Sequence, residues 1–184
     1  MKYLTLLFAI LFFTSACTSN GSVNTSAPDK ELVACSSIKQ VTENAYDAQL
    51  DLKLKCLDGN GDVKLSMIKG PAVINVWASW CTSCEDELPV FKEFSKINNG
   101  KVQFIGIDVE EKSALTGANF AKKNNMSWPH LYDPDGRTSE LFGMGIPVTW
   151  FIDQNGKIIF KKIGTVKTIT ELQGLVAQHL GVKI

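Results

Sequence analysis

A short apolar strand that runs directly into Trp80-Cys81-Thr82-Ser83-Cys84 constrains this chain more than any other feature. Ala72-Val73-Ile74-Asn75-Val76-Trp77-Ala78 is β-branched and nearly all apolar, the pattern of a strand buried on both faces. Glu85, Asp86 and Glu87 then place acids in what reads as a first helical turn, with apolar residues at helical spacing beyond them. Cys81 therefore stands where a helix begins, facing backbone N–H groups that have no partner inside the helix. Those donors and the helix dipole favour thiolate, the reactive form of the side chain. Cys84, one turn on, shares a face with Cys81 and can close a disulfide with it. Strand, CxxC and helix in this order point to thiol–disulfide exchange. Pro89 falls inside the long helical stretch and is expected to bend it.

Two blander uses of the pair compete with this one. A zinc site would need further ligands from Cys35, Cys56, His130 and His179, none of which forms a second close pair. A purely structural disulfide has no need of a helix start, which is where reactive cysteines occur.

The beginning of the chain has another character. Lys2 supplies a positive charge, Tyr3 to Phe13 is an almost unbroken apolar run, and Thr14-Ser15-Ala16 leads into Cys17. The run is too short for a stable membrane span and the right length for a signal peptide. It resembles a bacterial lipoprotein signal, in which the cysteine becomes the acylated N-terminus, although Thr14 stands where that pattern usually has Leu. Ordinary cleavage after Ala16 is the alternative. The chain has five cysteines, and acylating Cys17 leaves an even number to pair in an exported protein. Residues 1–16 are thus read as a lipoprotein-type signal peptide. Residues 17–30, rich in Ser, Asn, Thr and Gly, read as a flexible tether from a lipid-anchored Cys17. Several acyl chains hold a protein firmly to a membrane. The expected location is the bacterial cell envelope, on the outer face of the cytoplasmic membrane or in the periplasm.

Residues 31–184 read as one α/β domain. The sequence is 45% hydrophobic with no net charge, and its lysines and acids are interspersed. That supports a real core and excludes a nucleic-acid partner. Leu50, Leu52, Leu54 and Cys56 alternate with polar residues as a half-buried strand, and Asp58-Gly59-Asn60-Gly61 turns it towards a return strand at Val63–Leu65. Val102–Asp108 is a second buried strand and Ser113–Asn125 a crossover helix, which implies a parallel pair. A short helix is expected at Thr138–Phe142, and strands Pro147–Asp153 and Lys157–Ile163 meet at Gln154-Asn155-Gly156. Thr168-Ile169-Thr170-Glu171 has capping-box spacing and opens a final helix that buries Ile169, Leu172, Leu175, Val176 and Leu180. These elements predict a central mixed β-sheet flanked by helices, with an N-terminal β-hairpin extension. Cys35 and Cys56 are expected to form a structural disulfide. In the alternative, Cys35 resolves Cys84, which would need the N-terminal segment to lie over the site.

The segment Asn75 to Pro89, with Trp77, Trp80, Cys81, Cys84 and Glu87, resembles the membrane-anchored thioredoxin-like proteins of the TlpA/ResA group. Leu131-Tyr-Asp133-Pro-Asp-Gly136 and Gly145-Ile146-Pro147 through Asp153 extend the resemblance, which runs from Gln49 to Leu180. It implies a thioredoxin-like fold, a redox-active Cys81–Cys84 pair, and neither a metal nor an organic cofactor. Cys81 matches the exposed nucleophile that forms a mixed disulfide, and Cys84 the buried partner that resolves it. Pro147 matches a cis-proline beside the sulfurs, and the backbone of Ile146 would pair with an extended substrate segment. Asn75 stands where thioredoxins proper carry a buried Asp, so Glu87 takes the acid/base role towards Cys84. Against this, Glu87 is an ordinary first-turn acid like Glu85 and Asp86. Trp77 reads as core and Trp80 as an exposed contact surface, while Trp128 and Met144 fit either description.

Thr82-Ser83 offers no cation to stabilise a thiolate, and acids follow Cys84, which argues against a strong oxidant. The expected activity is reduction of a protein disulfide, with a membrane thiol as electron donor or acceptor. By resemblance, the haem-binding CxxCH of apocytochrome c is a target, in cytochrome c maturation. Oxidation of newly exported proteins and non-catalytic binding are the competing functions. Peroxide reduction needs a Thr three residues before the reactive Cys and a nearby arginine; Ala78 fills that position, and the single arginine is Arg137.

Overall fold

The computed structural model describes residues 31–42, 50–143 and 145–184. The signal peptide, the tether, Cys17 and Met144 lie outside the described residues. Strands β1 (Lys53–Cys56), β2 (Asp62–Lys64), β3 (Ala72–Trp77), β4 (Gln103–Val109), β5 (His130–Asp133), β6 (Val148–Ile152) and β7 (Ile158–Ile163) form one sheet in the order β2-β1-β5-β4-β3-β6-β7. β3, β4 and β5 run parallel and the remaining neighbours antiparallel, so the sheet is mixed. Five helices accompany it among the described residues: α1 (Thr82–Asp86), α2 (Leu88–Ile97), α3 (Ala114–Lys123), α4 (Ser139–Phe142) and α5 (Ile169–Leu180).

β3 is buried along its whole length, as its unbroken apolar run requires, and it lies between β4 and β6. β1 alternates exposed and buried, as a half-covered strand should. Its hairpin with β2 is not a separate appendage, because β1 also pairs with β5 and extends the main sheet. On one face, Phe104 of β4 stacks against Phe91 at 5.2 Å, meets Phe94 edge-on at 5.3 Å and packs on Trp128 at 4.7 Å. This aromatic cluster seats α2 on the sheet and makes Trp128 a core residue.

Several boundaries differ from those read in the sequence. The long helix after Cys81 is two helices, broken at Glu87, and Pro89 sits in the first turn of α2. A proline there needs no intrahelical donor, so it starts a helix instead of bending one. β1 begins only at Lys53, with Leu50 buried ahead of it, and Leu65 leaves β2 for a 3-10 turn at Leu65–Met67. β5 was not anticipated: it has four residues, and its burial does not alternate. At α5 the Thr168 Oγ1 accepts from Glu171 N at 3.1 Å, but Glu171 Oε2 accepts from Lys167 N at 2.8 Å, one residue earlier than a capping box has it. Leu172, Val176 and Leu180 are buried, whereas Ile169 and Leu175 are only partly so.

Cys35 and Cys56 are joined, with their Cα atoms 5.7 Å apart. The bond fastens the N-terminal 3-10 turn to the end of β1, and Cys35 N donates to Asp58 Oδ2 at 2.9 Å beside it. Cys35 is therefore held at the end of β1 by its bond to Cys56, with no bond to Cys84.

Candidate redox site

β3 ends at Trp77, and the chain turns through Ala78–Trp80 to Cys81, the N-cap of α1. Cys81 Sγ accepts from Cys84 N at 3.2 Å and is bonded to Cys84 Sγ, with Cα atoms 5.3 Å apart. Ser83 Oγ lies 3.6 Å from Cys81 Sγ. Cys81 was expected to be exposed, but it is only 6% exposed against 3% for Cys84. In the bonded state its sulfur is turned inward over the Cys84 N–H, and the exposed feature is Trp80, at 56%.

The turn before Cys81 is held by the loop after β4. Ser79 N donates to Glu111 Oε1 at 2.5 Å, and Trp80 Nε1 donates to Glu110 O at 3.2 Å. Trp77 is core, its Nε1 donating to His130 Nδ1 at 3.2 Å. Burial pushes His130 down to about 3, so the ring is neutral and free to accept that bond.

Glu87, at the break between α1 and α2, is fully buried. Its Oε1 accepts from Asn75 Nδ2 at 2.7 Å and its Oε2 from Val166 N at 3.1 Å. Desolvation pushes its carboxyl up from 4.5 to about 7, outweighing both hydrogen bonds and the charge of Lys162, which pull it down. It is not a solvated first-turn acid. A group that is half-protonated at neutral pH can both take and give a proton.

The Ile146–Pro147 bond is cis, one residue ahead of the Val148–Val76 pair, which sets Pro147 beside the end of β3 that leads to Cys81. Ile146 is half-buried. Pro147 O accepts from Gly164 N at 2.9 Å. The connection after β7, which supplies Gly164 and Val166, was missed in the sequence. It contributes backbone N–H groups, which nearly every residue type has, so no side-chain signal marks it.

Asp108, at the end of β4 opposite Trp77, was also missed. It is fully buried, neither carboxyl oxygen has a hydrogen-bond partner among the described residues, and desolvation followed by the charge of Glu111 pushes it up to about 9. The residues weighed for zinc do not converge: Cys35 and Cys56 hold each other, His130 accepts from Trp77, and His179 stacks on Phe160 of β7 at 3.9 Å. Among the described residues no three His, Cys, Asp or Glu side chains gather into a metal-binding cluster.

With the sheet ordered in this way and its cysteine pair at the mouth of β3, the molecule is a thioredoxin-like protein. The chain belongs to the AhpC/TSA family, whose model matches residues 24–161. It is similar to the thiol:disulfide interchange protein CycY of Rhizobium leguminosarum bv. viciae, with 32% identity over 111 residues, 59% of each chain. It therefore spans less than two thirds of the length of that relative. Thiol-disulfide oxidoreductase ResA of Geobacillus thermodenitrificans (strain NG80-2) is 32% identical over 133 residues, 71% of this chain and 72% of the relative. Among solved structures, the pneumococcal exposed lipoprotein thioredoxin Etrx1 of Streptococcus pneumoniae strain TIGR4 superposes with a TM-score of 0.57 at 30% identity, covering 68% of this chain and 97% of that one.

Proposed function

We propose that this chain is a thiol–disulfide oxidoreductase that works through Cys81 and Cys84 and reduces disulfides of exported proteins outside the cytoplasm. The observation that carries the reading is Glu87, a buried carboxyl raised to about 7 and placed three residues beyond Cys84. An acid in that setting suits the movement of a thiol proton at neutral pH.

In the reduced protein the Cys81 thiolate attacks one sulfur of the substrate disulfide. A Cys81–substrate bond forms, the substrate S–S bond breaks, and the departing thiolate takes a proton from solvent. Glu87, ionised, takes the proton of Cys84. The Cys84 thiolate then attacks Cys81 Sγ, breaks the mixed disulfide and expels the second substrate thiolate, which is protonated in turn. Two electrons and two protons pass from the protein dithiol to the substrate, and the pair itself carries them without a cofactor. A membrane thiol donor restores the dithiol. The backbone of Ile146 beside cis-Pro147, together with exposed Trp80, forms the docking surface for the substrate segment.

What surrounds Cys81 supports the reducing direction. Its sulfur receives one backbone N–H from a five-residue helix and, among the described residues, no cation is bonded to it, which speaks against the strongly favoured reduced form that a strong oxidant requires. The names of its relatives support the chemistry, and that of the lipoprotein thioredoxin supports a lipid anchor at Cys17 and a place in the cell envelope. An apocytochrome c CxxCH disulfide is the substrate that the TlpA/ResA resemblance implies. Peroxide reduction is opposed by buried Ala78 and by Arg137, whose guanidinium donates to Lys53 O at 2.8 Å and pairs with Asp133 at 3.5 Å near β1 and β5.

A Cys84→Ser variant tests the reading. It should hold a mixed disulfide between Cys81 and an exported protein, and the wild type should equilibrate at a potential well below that of exported oxidants. A pair that never cycles in redox buffers overturns the activity, and a strongly oxidising potential reverses its direction.

A further inference from the structure

The connection from β7 to α5 touches the site at three successive residues. Gly164 N donates to Pro147 O at 2.9 Å, Thr165 Oγ1 to Ser83 O at 3.4 Å, and Val166 N to Glu87 Oε2 at 3.1 Å. One short segment thus joins the cis-proline, the interior of the CxxC and the buried acid. A charged pair fixes this segment at both ends. Lys162 Nζ donates to Ile163 O at 3.1 Å and Thr165 O at 3.3 Å and lies 3.7 Å from Glu171 Oε1. Glu171 Oε2 accepts from Lys167 N at 2.8 Å. The two side chains are 26% and 31% exposed, so solvent only partly screens their fields.

We propose that Lys162 is a positioning residue for Glu87, holding Thr165–Val166 against the carboxyl and adding a positive charge to its surroundings, with Glu171 opposing that charge. The groups facing Glu87 come from every side of it. β3 contributes the neutral Asn75 amide, the connection the Val166 N–H, β7 the Lys162 ammonium and α5 the Glu171 carboxylate. Among the described residues only the last two carry charge, and they act in opposite directions: Lys162 lowers the proton affinity of Glu87 and Glu171 raises it. Their placement on β7 and at the first turn of α5 makes each replaceable without touching a cysteine, Pro147 or Glu87 itself.

The link to catalysis rests on the role proposed for Glu87, but the electrostatic claim does not, and it is read in the oxidised, full-length protein without turnover. The carboxyl carbon of Glu87 is followed by 13C NMR across pH. Lys162→Met should raise the Glu87 midpoint by about half a pH unit or more, a threefold or greater change in proton affinity. Lys162→Arg should restore the wild-type midpoint, and Glu171→Gln, whose amide oxygen can still accept from Lys167 N, should lower it. A merely loosened loop would move all the variants in one direction. An unchanged midpoint in Lys162→Met, or shifts of the same sign in Lys162→Met and Glu171→Gln, overturns the proposal. If Lys162→Met does not fold, Glu171→Gln decides alone: a downward shift supports the proposal, and no shift or an upward one refutes it. Loss of cysteine cycling with these midpoint shifts intact would instead count against the proposed function.

Discussion

Asn75 and Glu87 meet across 2.7 Å where water does not reach, the amide donating to the carboxyl. One comes from the middle of the buried strand and the other from the break between the first two helices. In a β-strand interior a side-chain amide is costly unless it is paired, and Glu87 is the partner that satisfies it. The same contact holds an acid against the helix that carries the cysteines, so core packing and site chemistry share one hydrogen bond.

This burial makes stability depend on pH. The folded protein holds the Glu87 proton more tightly than the unfolded chain does, its value rising from 4.5 to about 7. The contribution is complete below 4.5 and is lost as pH rises through about 7. A shift of that size corresponds to about 3 kcal/mol. Asp108, pushed up to about 9, adds a slope of the same sign, so the informative quantity is the difference between wild type and Glu87→Gln. In urea unfolding of the oxidised protein, the stability of wild type relative to Glu87→Gln should fall by about 3 kcal/mol from pH 4 to pH 8. A pH-independent difference would show that Glu87 is not a buried titrating acid.

Gly117 of α3 lies against Asp108. A methyl group added at Gly117 would overlap Asp108 Oδ2. In an exposed helix interior, Gly to Ala gains about 1 kcal/mol. Here Gly117→Ala should instead destabilise by about 1–3 kcal/mol, the usual range for overpacking. Asp108→Ala removes the obstacle, so the double variant should recover most of that loss. Thermal unfolding of the four proteins in a double-mutant cycle measures the coupling, and additive effects would refute the contact.

What the sequence disclosed, and what it withheld, follows from the range of each interaction. The Ala72–Trp77 strand, the Cys81 helix start and the Thr168 cap are written in neighbouring residues, and all three stand where short-range patterns put them. Pro89 reads as an interior residue because a proline near a helix start and one inside a helix look alike until the preceding break is known. β5 stayed hidden because partly exposed Tyr132 sits among buried neighbours in only four residues. Leu50 and Leu52 kept the alternation going beyond β1, since apolar side chains are buried by coil as readily as by strand. The burial of Glu87 depends on Asn75 and Val166, which lie 12 and 79 residues away, and no local pattern encodes either contact.

The Cys35–Cys56 bond should matter to stability and not to chemistry. It ties the N-terminal turn to β1, and its loop is long enough for closure to contribute about 3 kcal/mol in the chain-entropy model. Replacing both cysteines by alanine should lower unfolding stability by about that amount while leaving the Cys81–Cys84 reduction potential unchanged. A shifted potential, or loss of disulfide cycling, would revive a resolving role for Cys35.

Trp80 is the exposed aromatic beside the sulfurs, and its indole N–H is the part tied to the protein, through Glu110 O. More than half of the side chain is open to solvent, while the hydrogen bond fixes how it is presented. Removing the side chain uncovers little core, so Trp80→Ala should change stability by no more than about 1 kcal/mol, the size of one hydrogen bond. Its effect should fall on binding: a rise of about tenfold in KM towards a protein disulfide, equivalent to about 1.4 kcal/mol, with kcat and the reduction potential near wild type. Trp80→Phe keeps an aromatic face but loses the anchoring N–H, so its KM should lie between the two. A small-molecule disulfide makes few contacts beyond the sulfurs and should be reduced equally well by all three proteins. If Trp80→Ala instead loses kcat on both kinds of substrate, the indole serves to hold the Ser79–Cys81 turn and is not a contact surface.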